Sequence, residues 1–197
     1  TLISNLRIMR RTLINQISKR CDKSKEIITG VVHALLSRSI FIKYLEERKD
    51  SNGETVFPQD FYCNFMESAK WYTDVLNSKE ATYNLFLTLK DKFNGDTLQV
   101  SEIETEIITQ DDLDELRTFI LGNSELESRQ LTLWPLYSFD IIPIQLISSI
   151  YELFFHLSDE EDEKGTYYTP LHLVNLVMDE VYPWEGEYKD ISFFDPS

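Results

Sequence analysis

Apolar residues three or four positions apart run through the first 45 residues, and this spacing limits the fold more than any other feature of the chain. The first set consists of Leu2, Ile3, Leu6, Met9, Leu13, Ile14 and Ile17. Arginines lie between its members, so the spacing predicts an amphipathic helix. A longer helix is predicted to begin near Asp22 or Ser24 and to end before residues 51–53, where Ser-Asn-Gly forms a turn signal.

Charged residues inside this second helix are predicted to have structural roles. Arg38 lies in the middle of an apolar stretch. Because a buried arginine needs a partner, we expect Arg38 to pair with a carboxylate from another helix. Glu46, Glu47 and Arg48 at the end of the stretch are likewise predicted to be ion-pair partners rather than catalytic groups.

The segment 57–78 is dense in aromatic residues, namely Phe61, Tyr62, Phe65, Trp71 and Tyr72. Aromatic rings interleaved with lysines can stack on nucleic-acid bases. Here the spacing looks helical and only Lys70 is basic nearby, which favours packing between helices over base stacking.

Further helices are predicted along the chain. Ser78 is the N-cap of a helix that Asn94-Gly95 closes, and a helix from Asp111 to Leu121 has acidic residues in its first turn, where the helix dipole favours them. Residues 96–110 are left unassigned, because their pattern fits either a strand or a junction between a loop and a helix. Another helix is predicted from about residue 140 to 157, with Pro143 in its first turn.

Composition places the chain among globular proteins. Its 197 residues are 42% hydrophobic and 13% aromatic, enough to bury a core. The net charge is −15, yet residues 1–50 hold 11 Lys/Arg against 5 Asp/Glu. Any contact with DNA is therefore expected first from these fifty residues, the alternative being that they form only a solvated helix face.

Several kinds of site and location are not indicated. Neither a signal peptide pattern nor an 18-residue apolar run is found, and two cysteines suit a reducing compartment, so we predict a cytoplasmic protein without membrane contact. Three scattered histidines and the acidic run 159–163 do not resemble a ligand set, and no metal is predicted. The acidic run is interpreted as a solvated loop.

The last third of the chain contains the most specific pattern. In the run Gly165-Thr-Tyr-Tyr-Thr-Pro170, Thr169 suits an N-cap and Pro170 the first position of a helix that Pro183 stops. The apolar stripe of this helix consists of Leu171, Val174, Leu176, Val177 and Val181. Residues 191–194, Ile-Ser-Phe-Phe, are typical of a buried strand, and Asp195-Pro196-Ser197 follows them.

This pattern resembles the adenine-specific DNA methyltransferases of restriction-modification systems, such as a type I modification subunit or a type IIG-like enzyme. Members of that family have a G-x-Y/F-Y/F-T-P run, a helix, and a strand ending in D-P-x-C-G-S-G. Here the first run matches fully and the last as far as Asp195-Pro196-Ser197. Residues 35–48, Leu-Leu-Ser-Arg-Ser-Ile-Phe-Ile-Lys-Tyr-Leu-Glu-Glu-Arg, and residues 139–155 resemble two further elements of the family in the same order.

The resemblance implies that S-adenosylmethionine is the cofactor and that double-stranded DNA is the substrate of the parent protein. Carried over, Tyr168, Thr169 and Pro170 contact the cofactor, and Asp195 and Pro196 begin its main binding loop. The catalytic Asn/Asp-Pro-Pro-Tyr/Phe run of the family is not found in the 197 residues. We therefore expect an N-terminal fragment, inactive by itself, that stops at the start of the cofactor loop.

The expected fold is all-α. A helical N-terminal domain of residues 1–157 precedes an acidic loop, 158–164, and the start of the methyltransferase domain, 165–197, with one helix and room for one short strand. Two other classes remain open. One is a helical interaction module that docks a specificity or nuclease subunit, and the other is an acidic DNA mimic, which the basic N-terminal residues oppose. Apolar surface left by the absent sheet also makes self-association an option.

Overall fold

The computed structural model describes residues 2–93, 98–122 and 171–181. These residues form helices, turns and loops but no strand, and their only β pairing is an isolated bridge between Lys49 and Thr55. The prediction of an all-α fold is confirmed for this part of the chain. The strand predicted at 191–194 and the helix predicted at 140–157 lie outside the described residues.

Two long helices, α1 (Leu2–Arg20) and α2 (Lys25–Glu47), pack against each other as the apolar spacing predicts. Ser24 is the N-cap of α2, and its hydroxyl accepts a hydrogen bond from the backbone N–H of Ile27 at 3.4 Å. The buried face of α1 consists of Leu2, Leu6, Met9, Leu13, Ile14 and Ile17. Six of the seven predicted apolar positions are thus buried, and Ile3 is half-buried.

By length and composition, α2 is also the one described helix that could cross a membrane. Most of its apolar window is buried inside the protein, as in the core helix of a soluble domain, so its composition says nothing for or against a membrane.

Residues 48–78, which follow α2, are mostly irregular, so the helical spacing inferred for the aromatic residues of this segment is wrong. The segment contains a 3-10 helix, Phe61–Asn64, and a single-turn helix, α3 (Tyr72–Val75). Packing is confirmed for Tyr62 and Tyr72, which are buried. Trp71 is a correction, because its side chain is 55% exposed.

Three further helices follow among the described residues: α4 (Lys79–Phe93), α5 (Glu102–Ile107) and α6 (Gln110–Leu121). Ser78 caps α4 as predicted, accepting a hydrogen bond from the N–H of Ala81 at 3.3 Å. The segment that the sequence left unassigned contains α5. Gly122 ends α6 in the left-handed region, with φ of 66°, where glycine meets no steric penalty.

The chain divides into two compact units, Thr1–Glu161 and Asp162–Ser197. The second contains helix α7 (Leu171–Val181), which confirms that a helix follows the Thr169-Pro170 step. The described apolar side chains of α7 are all exposed, from 38% at Val174 to 72% at Val181.

Candidate functional site

The five residues expected to contact a cofactor lie outside the described part of the chain. They are Tyr168, Thr169, Pro170, Asp195 and Pro196. What the structure does describe is α7, whose first residue directly follows Pro170. A helix that begins here is the local structure that an N-cap threonine and a first-position proline predict.

Arg38 lies in the core of the helical domain, where it pairs with Glu104 of α5. Its Nη1 lies 2.7 Å from Oε1 of Glu104 and its Nη2 lies 3.2 Å from Oε2, so the guanidinium and the carboxylate meet as a fork. The side chains are 0% and 2% exposed. The prediction that Arg38 pairs with a carboxylate from another helix is confirmed.

The surroundings of this ion pair make it a structural element rather than a reactive one. Arg38 also donates to the carbonyl oxygen of Gln99, and its guanidinium carbon lies 4.5 Å from the centre of the Phe86 ring. The hydroxyl of Tyr83 donates to Glu104 at 3.3 Å. Burial, and then the negative charge of Glu104, raise the pKa of Tyr83, which keeps its phenol protonated.

A second buried carboxylate, Glu46, holds the end of α2 to α3. Its Oε1 accepts a hydrogen bond from the backbone N–H of Tyr72 at 2.5 Å, and its other oxygen pairs with Lys43. The Tyr72 hydroxyl lies 2.7 Å from Oγ of Ser39. Burial alone would lower the pKa of Lys43, but attraction to Glu46 and hydrogen bonds to Glu46 and Glu47 outweigh it and raise that pKa.

The ion pairs predicted at the end of α2 are confirmed for two of the three residues. Glu46 and Glu47 both pair with Lys43. Arg48 differs, because the structure places its guanidinium 5.8 Å from the centre of the Tyr44 ring, as a cation–π contact.

Other basic residues of the first fifty also have partners inside the domain. Arg20 at the end of α1 pairs with the buried carboxylate of Asp112 on α6, and also donates to the carbonyl oxygen of Ile107. Nζ of Lys23 lies 3.4 Å from Oε2 of Glu106. Arg20, Lys23 and Arg38 therefore connect the N-terminal segment to α5 and α6.

At the contact of α1 and α2, Nε of Arg10 donates a hydrogen bond to Nε2 of His33. His33 is half-buried, and desolvation together with the charge of Arg10 lowers its pKa to about 4. Its imidazole is consequently neutral at pH 7 and accepts rather than donates at Nε2.

The solvent side of α1 has a different character. Arg7, Arg11 and Lys19 are exposed there, with Asn15 and Ser18 beside them. Helix α1 contains five basic residues and no acidic one. None of these three basic residues has a salt bridge within the described ranges 2–93, 98–122 and 171–181. These three side chains are therefore available to a ligand, as are the exposed Lys25 and Lys49 elsewhere in the segment.

Trp71 is a second exposed feature, which the sequence pattern did not indicate. Oδ2 of Asp74 accepts the N–H groups of Lys70 and Trp71, at 2.9 and 3.0 Å, which fixes the backbone beneath the ring. Nζ of Lys43 lies 5.8 Å from the ring centre. Trp71 directly precedes α3, in a segment whose 3-10 and single-turn geometry the aromatic spacing did not reveal.

Among the described residues, no group of three or more histidines, cysteines and acidic residues could hold a metal ion. His33 contacts Arg10, His172 on α7 is exposed, and His156 and the acidic run 159–163 fall in the undescribed part. No protein-family model, no curated protein and no solved structure matches the chain.

Proposed function

We propose that this chain is the N-terminal part of a DNA methyltransferase of a restriction-modification system, which transfers a methyl group from S-adenosylmethionine to adenine. The observation that carries the proposal is the order Gly165-Thr-Tyr-Tyr-Thr-Pro170, then a helix, then Phe193-Phe-Asp-Pro-Ser197. Helix α7, directly after Pro170, supports the middle member of that order.

Physical chemistry gives the Thr169-Pro170 step a role in such an enzyme. The first turn of a helix presents unpaired N–H groups and a positive dipole end, which suit a carboxylate such as that of the methionine part of the cofactor. Tyr168 would lie beside it, and Asp195 and Pro196 would begin the second cofactor loop.

The exposed apolar side chains of α7 fit the same proposal. Leu176, Val177 and Val181 are 58%, 58% and 72% exposed, which is costly for a helix that stays in water. In an open α/β domain a helix of this composition buries one face on the sheet. In this proposal, the apolar side chains of α7 pack against the sheet of the methyltransferase domain.

The helical domain has a supporting role in this proposal. The stretch 35–48, which resembles a family element, contributes Arg38 and Glu46 to buried contacts with Glu104 and Tyr72. These side chains therefore position helices and do not touch the reacting atoms. Because the Asn/Asp-Pro-Pro-Tyr/Phe run is not among the 197 residues, we expect no methyl transfer by this chain alone.

The test is transfer of labelled methyl from S-adenosylmethionine to duplex DNA, using the gene product extended beyond Ser197. We expect transfer by the unchanged protein and at least a tenfold loss in the double variant Thr169→Ala/Pro170→Ala. Thr88→Ala on α4 is the matched control, because Thr88 is exposed and its hydroxyl donates to the carbonyl oxygen of Asn84 within its own helix.

Two results would count against the proposal in different ways. Full transfer by the double variant would reduce Thr169-Pro170 to a helix start without a cofactor role. Absence of both transfer and cofactor binding in the extended protein, on DNA of varied sequence, would refute the methyltransferase assignment itself.

A second candidate function is an interaction module that docks a specificity or nuclease subunit, and the exposed Trp71 favours it. Rigidly held exposed tryptophans are common anchors of protein interfaces. Purification of the extended protein with the products of neighbouring genes, with and without Trp71→Ala, tests this function. Loss of one stoichiometric partner in the variant would support it, and an unchanged complex would oppose it.

A further inference from the structure

We propose that the solvent face of α1 contacts the phosphate backbone of duplex DNA. This face, which we call the α1 basic face, consists of Arg7, Arg11, Asn15, Ser18 and Lys19, all of them exposed. The inference goes beyond the cofactor site, because it assigns a second surface, in the helical domain, with its own ligand. The choice of DNA as that ligand rests on the proposed function.

Helix geometry aligns these side chains. Residues 7, 11, 15 and 18 follow one another at steps of four, four and three, so they lie along one side of the helix. Lys19 flanks the end of this row. From Arg7 to Lys19 the face extends about 18 Å at 1.5 Å per residue. One DNA strand presents a phosphate roughly every 3.4 Å along the axis, so the face is long enough to meet several phosphates.

Charge complementarity is the main argument for a polyanion. Helix α1 has no acidic residue, and its remaining cations, Arg10 and Arg20, are already bonded to His33 and Asp112. Arg7, Arg11 and Lys19 are exposed and have no salt bridge to any residue that the structure describes, on a protein of net charge −15. Because most of the chain repels a polyanion, a duplex is steered toward this face.

The kinds of side chain also suit phosphate. Arginine presents a planar fork of donors that matches phosphate oxygens, and Asn15 and Ser18 add neutral donors between the charges. These contacts position a duplex without reading its sequence. Sequence recognition is therefore assigned elsewhere, and the face supplies affinity and orientation.

An anionic membrane is the other polyanionic surface that a basic amphipathic helix can bind, and the packing of α1 opposes it. Membrane-surface helices insert their apolar face between lipids. In α1 that face is used for the core, where Leu6, Met9, Leu13 and Ile17 are completely buried. Only the polar side of the helix is free, and it can meet phosphates without insertion.

The experiment measures binding of the 197-residue chain to a fluorescein-labelled 20-base-pair duplex by anisotropy, from 25 to 200 mM salt. The test variant is Arg7→Gln/Arg11→Gln/Lys19→Gln. The matched control is Lys49→Gln/Lys70→Gln/Lys90→Gln, which removes three exposed charges from other elements. Labelled polyglutamate serves as a second polyanion, with the charge of an acidic protein but no phosphate.

We expect the unchanged chain to bind the duplex with an affinity that falls steeply with salt. The α1 variant should bind at least tenfold more weakly at 50 mM salt, and the slope of log K against log salt should be lower by about 3. The control variant should keep most of the affinity and slope. Three results would overturn the proposal: no binding at 25 mM salt, equal losses in both variants, or α1-dependent binding of polyglutamate in place of DNA.

The outcome is independent of the methyl-transfer test. Methyl transfer by the extended protein together with normal DNA binding by the α1 variant would remove this inference and leave the proposed function. Binding that depends on α1, without any methyl transfer, would support this inference and count against the proposed function.

Discussion

Helices α1 and α2 are neighbours with five and three basic residues, and most of these residues are used in opposite ways. In α2, Arg38 and Lys43 point into the domain and meet Glu104 and Glu46. In α1, three of five basic side chains point into solvent without a carboxylate partner in the described part of the chain. The difference shows that the net charge of a segment indicates a binding surface only after the charges that pair inside the domain have been subtracted.

The two helices should therefore respond differently to loss of charge. Removing one partner of a buried pair leaves an uncompensated charge in the core, which costs stability. Removing an exposed charge leaves the core unchanged and affects only what binds to it. Each substitution below tests one side of this comparison.

The largest effect is expected at the buried pair of α2 and α5. Glu104→Met keeps much of the side-chain volume but leaves the Arg38 guanidinium without its carboxylate, in a site where both side chains are almost fully buried. We expect a loss of about 3–5 kcal/mol in the free energy of unfolding. Urea denaturation followed by circular dichroism measures it.

The double variant Arg38→Met/Glu104→Met is the control for this prediction. It removes both charges, so most of the lost stability should return, since apolar residues of similar size often replace a buried pair without penalty. A single variant as stable as the unchanged chain would show that water reaches the pair, contrary to its burial.

A smaller effect is expected at Glu46, the carboxylate that holds Tyr72. Glu46→Gln removes the charge that pairs with Lys43 and weakens the hydrogen bond to the Tyr72 N–H. We expect a loss of about 1.5–3 kcal/mol in the free energy of unfolding, typical of hydrogen bonds to charged groups.

Glu47→Gln is the matched control, because Glu47 also pairs with Lys43 but is 25% exposed. Its loss should stay below about 1 kcal/mol, since exposed ion pairs contribute little. Equal losses in the two variants would mean that Glu46 acts only through Lys43 and that its bond to α3 contributes nothing.

These contacts also show how far the sequence reaches. An arginine in an apolar stretch implies a buried partner, so the pairing of Arg38 followed from the sequence alone. The partner could not be named, because Glu104 lies in a short helix whose alternating Ile and Glu residues also fit a strand. In a segment of six residues, the spacing of the apolar side chains does not distinguish a helix from an alternating strand.

The aromatic segment shows a different limit. Tyr72 and Trp71 are adjacent and similar in hydrophobicity, yet one is buried and the other exposed. The choice depends on Glu46 and Asp74, whose carboxylates fix the backbone at residues 70–72. Tertiary hydrogen bonds of this kind leave no periodic signal. The residues of the candidate cofactor site are predicted from the sequence alone, and the structure describes only the helix that follows Pro170.

A pH effect is expected where the two helices meet. The pKa of His33 lies at about 4 in the folded chain, below its ordinary value of 6.5, so the unfolded chain binds the proton more readily between these values. Stability contributed by neutral His33 is therefore complete above pH 6.5 and is lost as the pH falls toward 4. Below that pH both states are protonated and the loss stops growing.

His33→Gln isolates this effect from the titration of carboxylates. The unchanged chain and the variant should lose stability at different rates between pH 6.5 and 4.5, with the steeper loss in the unchanged chain. The measurement is urea denaturation at each pH. Parallel curves would show that Arg10 and His33 can separate without cost, because His33 is only half-buried.

The smallest effect on stability is expected for Arg7→Gln/Arg11→Gln/Lys19→Gln, and this result completes the comparison. These side chains lie on the solvent face of α1, and glutamine has a helix propensity similar to those of arginine and lysine. The free energy of unfolding should change by less than about 0.5 kcal/mol per residue, far less than at Glu104. Urea denaturation checks this value on the same samples used for DNA binding.

A large loss of stability would mean that α1, like α2, uses its charges to hold the fold, and the weaker binding of the variant would then have no bearing on DNA. An unchanged midpoint with weaker binding would separate the two uses of basic residues within one pair of helices.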